Sequence, residues 1–219
     1  MKAIIFDMDG VIINSEPIHQ LVEREMVEDF GGSLPREDHQ KFVGATDRYM
    51  WEFIKKELDL DMKIEDILKK KEVGFRNRLN EIELVEHFET LIDLVNKEGY
   101  KTALASSNNK KTVHLVVDKF NLRDKFDYII TGTEVEKGKP NPEIFLKAAK
   151  NLNVDPLNCI VFEDTKNGVE AANRANMKVI GYLDKKHSIQ DLSEADKVVY
   201  SLKDVDAKMI SGLLENKAE

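Results

Sequence analysis

Four short segments of the chain carry polar side chains of types that can do chemistry. The first holds Asp7 and Asp9, which directly follow the apolar run Ala3-Ile4-Ile5-Phe6 and precede Gly10. Side chains two residues apart in an extended segment point the same way, so these carboxylates can share one pocket. Two like charges beside an apolar strand are costly unless a cation such as Mg²⁺ compensates them. Taken alone, a polar turn after a strand explains the pattern equally well.

The other three segments also follow apolar runs. Ser106 and Asn108 follow one run, and Lys139 lies in a proline-containing loop after the next. Glu163 and Asp164 end the last run. Each segment alone has an ordinary explanation as a helix cap, a solvated loop or an exposed turn. Together they suit phosphoryl transfer, which needs carboxylates for a metal and for attack, and a cation with hydrogen-bond donors for the phosphate oxygens.

The hydrophobic pattern predicts an element order that places these segments at one edge of a sheet. After about residue 86, short apolar runs alternate with segments of helical periodicity, which is typical of a doubly wound parallel sheet. Ligands bind such sheets at the carboxyl ends of the strands. Besides the first strand before Asp7, we predict strands at residues 101–106, 128–131, 159–162, 178–182 and, at an edge, 198–199.

Residues 16–80 show only helical periodicity. We predict helices at about 16–30, 46–58 and 64–79, and a short helix after Pro35. The sequence therefore predicts an α/β core domain at 1–15 and 81–219, with an all-helical domain at 16–80 inserted after the first strand.

Composition and charge argue against several other classes of protein. The 219 residues have a formal net charge of −8, which disfavours non-specific nucleic-acid binding. No apolar stretch approaches the roughly 18 residues of a membrane span, and the N-terminus has no signal-peptide pattern. Cys159 is the only cysteine, so a reducing, cytoplasmic location is expected.

The chain resembles the haloacid dehalogenase superfamily, and within it the β-phosphoglucomutase-like phosphatases with a small helical cap. The resemblance covers nearly the whole length and implies a Rossmann-like core. It rests on four motifs: Phe6-Asp7-Met8-Asp9-Gly10-Val11, Ala105-Ser106-Ser107-Asn108, Gly138-Lys139-Pro140-Asn141-Pro142 and Phe162-Glu163-Asp164-Thr165.

The resemblance implies a role for each residue that transfers or binds phosphate. Asp7 would be the nucleophile that forms an aspartyl phosphate, and Asp9 the general acid and base. Ser106 would hydrogen-bond the phosphate, and Asn108 is a further candidate for this contact. Lys139 would neutralise charge between the phosphate and Asp7.

The resemblance also implies a Mg²⁺ site and a cap. The metal would be held by Asp7, the backbone carbonyl of Asp9 and Asp164. Glu163 would be a further ligand or a group that supports the ligands. The helical domain at 16–80 would close over the site and exclude water.

Substrate contacts are expected in the cap. His19 and Arg48 match positions at which the sugar-phosphate mutases place cap residues that face the site. An exposed helix residue explains His19 equally well, whereas the guanidinium of Arg48 suits a second phosphate. Lys71 and Arg76 are interpreted as residues of solvated helix faces.

The segment Asn14-Ser15-Glu16-Pro17 resembles the sugar-phosphate phosphatases, because the mutases usually carry Asp-Thr-Ala there. We therefore expect a monomeric, Mg²⁺-dependent phosphatase of a small phosphorylated metabolite, a sugar phosphate above all. A β-phosphoglucomutase-type mutase is the alternative. The intact carboxylates and lysine disfavour a non-catalytic binding module, and the Glu163-Asp164 pair disfavours a haloalkanoate dehalogenase.

Overall fold

The computed structural model describes residues 1–35, 38, 42, 47–184 and 190–215. The chain divides into two compact units: a core unit, formed by Met1–Asn14 and Glu83–Glu219, and a helical unit, formed by Ser15–Ile82. Within the described ranges, every helix is too short or too polar to cross a membrane.

The strands of the core unit form two sheets. They are β1 Ala3–Phe6, β2 Ile13–Asn14, β3 Glu83–Leu84, β4 Lys101–Ser106, β5 Tyr128–Thr131, β6 Cys159–Glu163, β7 Lys178–Tyr182 and β8 Lys197–Val199. The large sheet is parallel and six-stranded, with the order β5-β4-β1-β6-β7-β8, and the small one pairs β2 with β3 in antiparallel orientation. The chain begins in the middle of the large sheet, moves outwards through β4 and β5, and returns to the other side with β6. This order confirms the doubly wound α/β fold.

The register of β1 fixes where the polar segments meet. Phe6 lies beside Leu104 of β4 on one side and beside Phe162 of β6 on the other. All four residues of β1 are buried, as expected for a central parallel strand that is covered on both faces. The residues that follow Phe6 and Phe162, namely Asp7 and Glu163, therefore reach the same edge of the sheet.

Helices cover the sheet of the core unit. They are α4 Phe88–Lys97, α5 Lys110–Lys119, α6 Glu143–Leu152, α7 Lys166–Arg174 and α8 Ala207–Glu215. On one face, Phe145 of α6 and Val169 of α7 pack with Ile5 and Val161 of the sheet in a buried apolar cluster. α7 begins directly after Thr165, which caps it by accepting a hydrogen bond from the amide of Gly168.

The helical unit contains α1 Glu16–Asp29, α2 Asp47–Glu57 and α3 Ile64–Asn77. Trp51, the only tryptophan of the chain, is fully buried on α2, with its ring edge-on to Phe30 at 6.2 Å. The short helix predicted after Pro35 falls mostly on residues outside the described ranges.

Lys71 differs from its predicted place on a solvated helix face. Its side chain is 6% exposed, and Nζ lies 2.6 Å from a carboxylate oxygen of Glu23 and 2.6 Å from one of Asp47. Burial alone would lower the pKa of Lys71, but the two carboxylates outweigh it and the pKa is raised. The lysine thus joins α3 to α1 and to the first residue of α2.

Candidate active site

The core unit brings together seven of the predicted site residues at the carboxyl ends of its strands. They are linked through hydrogen bonds or short carboxylate distances, and they come from all four motifs: Asp7, Asp9, Ser106, Asn108, Lys139, Glu163 and Asp164. The predicted convergence of the four segments at one edge of the sheet is therefore present.

Three carboxylates form the acidic centre of this site. Asp7, Glu163 and Asp164 each offer an oxygen, and the three oxygens lie within 4.8 Å of one another. The pKa of Asp7 is raised to about 8, mainly by burial, which outweighs the opposing effect of Lys139; Glu163 and Asp9 also contribute to the increase. Burial also raises the pKa of Asp164 well above its usual value. The three groups are therefore costly to ionise together without a nearby cation.

Asp164 offers a ligand atom to such a cation. Its Oδ1 is buried and has no hydrogen-bond partner among the described residues. A buried carboxylate oxygen that is left without a partner is energetically costly, and hard cations prefer such oxygens. The donor set of this centre therefore fits Mg²⁺.

Gly10 allows Asp164 to come this close to the turn after β1. Its φ is +74°, and a Cβ at this position would lie 1.9 Å from Oδ2 of Asp164. Any other residue would strain the backbone and push the Asp164 carboxylate out of place.

Lys139 lies between two carboxylates of the site. Its Nζ donates to Oδ1 of Asp7, lies 2.6 Å from Oε1 of Glu163 and lies 3.4 Å from the carbonyl oxygen of Ala105. Burial alone would lower the pKa of Lys139, but Asp7 and Glu163 outweigh it and the pKa is raised. The ammonium therefore remains charged beside Asp7.

Both oxygens of Glu163 are engaged by the protein itself. Oε1 accepts from Lys139, and Oε2 accepts from the amides of Asp164 and Thr165 at 3.0 Å and from the Thr165 hydroxyl at 2.9 Å. A Cβ at Gly168 would lie 1.8 Å from the carboxyl carbon of Glu163. These contacts suit a group that holds Lys139 and the end of β6 in place.

Asn108 connects the second motif to the first. Its Nδ2 donates to Oδ2 of Asp9, and its backbone amide donates to Oγ of the fully buried Ser106 at 3.1 Å. Asn109 then caps α5 by accepting from the amide of Thr112 at 3.1 Å. Asn108 and Asp9 are 99 residues apart, and no local pattern in the sequence indicates their contact.

His19 and Arg48 belong to the helical unit. The ring of His19 stacks on Phe75 with 4.2 Å between centroids. Arg48 is half exposed, with its guanidinium nitrogens 3.1 Å from Glu65 and 3.5 Å from Glu52. The role of both residues in substrate binding stays a prediction.

Comparison with known proteins identifies the family. The model of the haloacid dehalogenase-like hydrolases matches residues 4–182. The chain is 32% identical over 196 residues to the phosphorylated carbohydrates phosphatase of Thermotoga maritima, covering 87% of this chain and 88% of that one. It is 29% identical over 189 residues to the β-phosphoglucomutase of Bacillus subtilis, covering 83% of each.

A solved structure supports the same assignment. The HAD hydrolase, family IA, variant 3, of Entamoeba histolytica superposes with a TM-score of 0.86 at 27% identity, covering 99% of this chain and 100% of that one. The four motifs, the doubly wound sheet and the family match agree, and the chain belongs to the haloacid dehalogenase-like hydrolases.

Proposed function

We propose that this hydrolase is a phosphomonoesterase that releases phosphate from a small phosphorylated metabolite, with sugar phosphates as the substrate class. The observation that carries the proposal is the buried Asp7 carboxylate, which lies beside the charged Lys139 and the acidic centre. The similarity to the T. maritima phosphatase supports the choice of substrate class.

Asp7 and Asp9 divide the chemistry between them. An Asp7 oxygen attacks phosphorus and forms an aspartyl phosphate, while the bond from phosphorus to the leaving oxygen breaks. Asp9 gives its proton to that oxygen, which leaves as an alcohol. In the second step Asp9 takes a proton from water, whose oxygen attacks phosphorus, and phosphate and the free Asp7 carboxylate are released. Lys139 offsets the negative charge that gathers beside Asp7 in both steps.

Mg²⁺ fits the acidic centre as the cofactor. We assign its protein ligands to the carboxylates of Asp7 and Asp164 and the backbone carbonyl of Asp9. Glu163 is assigned a supporting role, because its two oxygens already accept four hydrogen bonds from protein donors. When bound, Mg²⁺ supplies positive charge to the phosphate oxygens.

The helical unit is assigned to substrate selection. We propose that it acts as the cap, that the guanidinium of Arg48 binds a second anionic group of the substrate, and that His19 contacts the sugar. Arg48 would take this role if its guanidinium left its ion pairs with Glu52 and Glu65 and paired with a substrate anion instead.

A panel of sugar phosphates and other phosphorylated metabolites, assayed with and without Mg²⁺, tests the function. We expect phosphate release from at least one sugar phosphate with Mg²⁺ and little release in EDTA. No release from any member with Mg²⁺ present would contradict the proposal.

A mutase is the second candidate, favoured by the similarity to the β-phosphoglucomutase of B. subtilis. The same panel separates the two. A mutase would convert β-glucose 1-phosphate to glucose 6-phosphate when primed by a bisphosphate, and would release little free phosphate. That result would assign mutase activity to the protein in place of phosphatase activity.

Removal of Mg²⁺ is expected to lower the melting temperature, and more so at about pH 8 than at about pH 5. The pKa of Asp7 rises from 3.8 to about 8 on folding without metal. The contribution of Asp7 to the stability of the metal-free protein is therefore fully present below about pH 4 and is lost as the pH rises through about 8. Mg²⁺ compensates the ionised carboxylates, whereas protons compete with it at low pH.

Thermal unfolding with Mg²⁺ or EDTA at both pH values measures this effect. Asp164→Asn is the matched variant and should lose most of the Mg²⁺-dependent increase. An equal melting temperature with and without Mg²⁺ at about pH 8 would rule out the metal site assigned here.

A further inference from the structure

The loop that carries Lys139 connects β5 to α6 and depends on a few hydrogen bonds for its position. The amide of Asn141 donates to the carbonyl of Gly138 at 3.0 Å, and the guanidinium of Arg174 donates to the carbonyl of Pro140 at 3.3 Å. The first contact closes a turn around Lys139, and the second holds the residue that follows it. The segment before Gly138 takes part in neither contact and needs another attachment.

Glu143, the first residue of α6, supplies that attachment. Its two carboxylate oxygens each accept from the backbone amide of Glu136 at 3.1 Å, and one of them also accepts from the amide of Lys137 at 3.1 Å. These two amides directly precede Gly138 and Lys139. A single side chain thus holds the backbone on the N-terminal side of Lys139.

Lys147, one turn further along α6, reinforces this contact. Its ammonium lies 2.7 Å from Oε1 of Glu143 and 2.7 Å from the carbonyl oxygen of Glu134. The hydrogen bond from Lys147 and those from the two loop amides lower the pKa of Glu143 to about 2. The carboxylate is therefore charged throughout the neutral range, and its place in the first turn of a helix favours that charge.

The same helix also contacts the ammonium group of Lys139. The ring of Phe145, which is fully buried, has its centroid 4.8 Å from Nζ of Lys139. Glu143 fixes the backbone of the loop, and Phe145, two residues later, lies under the ammonium. α6 therefore determines both the path of the loop and the position of the charge.

We propose that Glu143 is a positioning residue for the phosphatase reaction. Its carboxylate holds the backbone of residues 136 and 137 so that the ammonium of Lys139 stays between Asp7 and Glu163. The catalytic part of this inference rests on the proposed function. The attachment of the loop does not.

The kinetic test compares Glu143→Ala with Glu89→Ala. Glu89 is the matched control because it is an exposed glutamate in the first turn of α4. We expect Glu143→Ala to lower kcat/KM for p-nitrophenyl phosphate about 10- to 100-fold, because a small displacement of a catalytic group has effects of that order. Glu89→Ala should leave kcat/KM unchanged. Glu143→Gln should restore part of the loss, because its amide oxygen still accepts from one loop amide.

The same substitution is then made in a Lys139→Ala background. If Glu143 acts through Lys139, Glu143→Ala should cause no further loss there. An equal loss in both backgrounds would overturn the proposal, because Glu143 would then act on the fold in general. Unchanged kcat/KM in the single variant would overturn it as well.

Hydrogen exchange of the loop provides a readout that does not depend on turnover. The amides of residues 136 and 137 should exchange faster in Glu143→Ala than in the wild type, and at the wild-type rate in Glu89→Ala. Unchanged exchange in Glu143→Ala would overturn the attachment itself. A wild-type protein that releases no phosphate would instead refute the proposed function, and with it only the catalytic part of this inference.

Discussion

Asp7→Asn is expected to abolish phosphate release, by a factor of about 10⁴ or more, in a protein that still folds. The amide nitrogen and oxygen of asparagine are poor nucleophiles towards phosphorus, and the substitution also removes a negatively charged metal ligand. No other carboxylate is proposed to form the phosphoenzyme. The expected loss is therefore in kcat.

The same substitution should not destabilise the metal-free protein. Burial raises the pKa of Asp7 to about 8, which means that the ionised carboxylate is costly in the folded state. A neutral side chain of the same shape avoids that cost, while Lys139 keeps its contact with Glu163. At about pH 8 without Mg²⁺, the melting temperature of Asp7→Asn should equal or exceed that of the wild type.

Two measurements check this prediction. Quenched reactions with ³²P-labelled substrate should show label on the wild-type protein and none on Asp7→Asn. Asp93→Asn, at an aspartate more than half exposed that pairs with Lys125 on the surface, is the control and should keep wild-type turnover. Turnover retained by Asp7→Asn would remove Asp7 from the role of nucleophile.

Lys139→Ala is expected to lower kcat/KM by a factor of about 10³, the upper range for loss of one charge-stabilising group. It should also destabilise the protein by about 3 to 5 kcal/mol, as is typical when one partner of a buried ion pair is removed. Stability is lost because the substitution removes the cation 2.6 Å from Oε1 of Glu163. The Glu163 side chain is 1% exposed, so its charge is then left buried without compensation.

A second substitution separates the two effects of Lys139. Adding Glu163→Gln to Lys139→Ala removes the uncompensated charge, so the double variant should recover much of the stability but little of the activity. Lys150→Ala, at an exposed lysine of α6, is the control and should change neither. If Lys139→Ala kept wild-type kcat/KM, the ammonium would have no part in the reaction.

The fold could be predicted well from the sequence, because its strands are continuous apolar runs bounded by turn residues. The five predicted strands after the first agree with the structure to within one residue at each end. The β2–β3 pair was not predicted, since two-residue strands leave no periodicity to detect. It forms because the chain returns to the end of the first turn after the helical insertion.

The residues of the candidate site could be predicted, but their contacts could not. Three motifs mark the end of a strand and the fourth lies in the loop after β5, so their place at the edge of the sheet follows from the fold. The hydrogen bond from Asn108 to Asp9 and the contact of Lys139 with Glu163 depend on side-chain directions that local patterns do not specify. For the same reason the sequence did not indicate the attachment of the loop by Glu143.

The burial of Lys71 could have been predicted from its position. It lies four residues after Ile67 and four before Phe75, both buried, and therefore on the apolar face of α3. Its neighbours Lys69 and Lys70 suggested a solvated charge run instead. A lysine on an apolar stripe needs a buried acid, and Glu23 on the buried face of α1 provides it.

The location of Trp51 makes the two units optically distinguishable. The only indole of the chain is buried in the helical unit, so its fluorescence in urea reports the loss of that unit's packing, whereas far-ultraviolet circular dichroism reports the helices of both units. Coincident midpoints would describe a single cooperative transition, and separate midpoints would show that the insertion melts independently of the sheet.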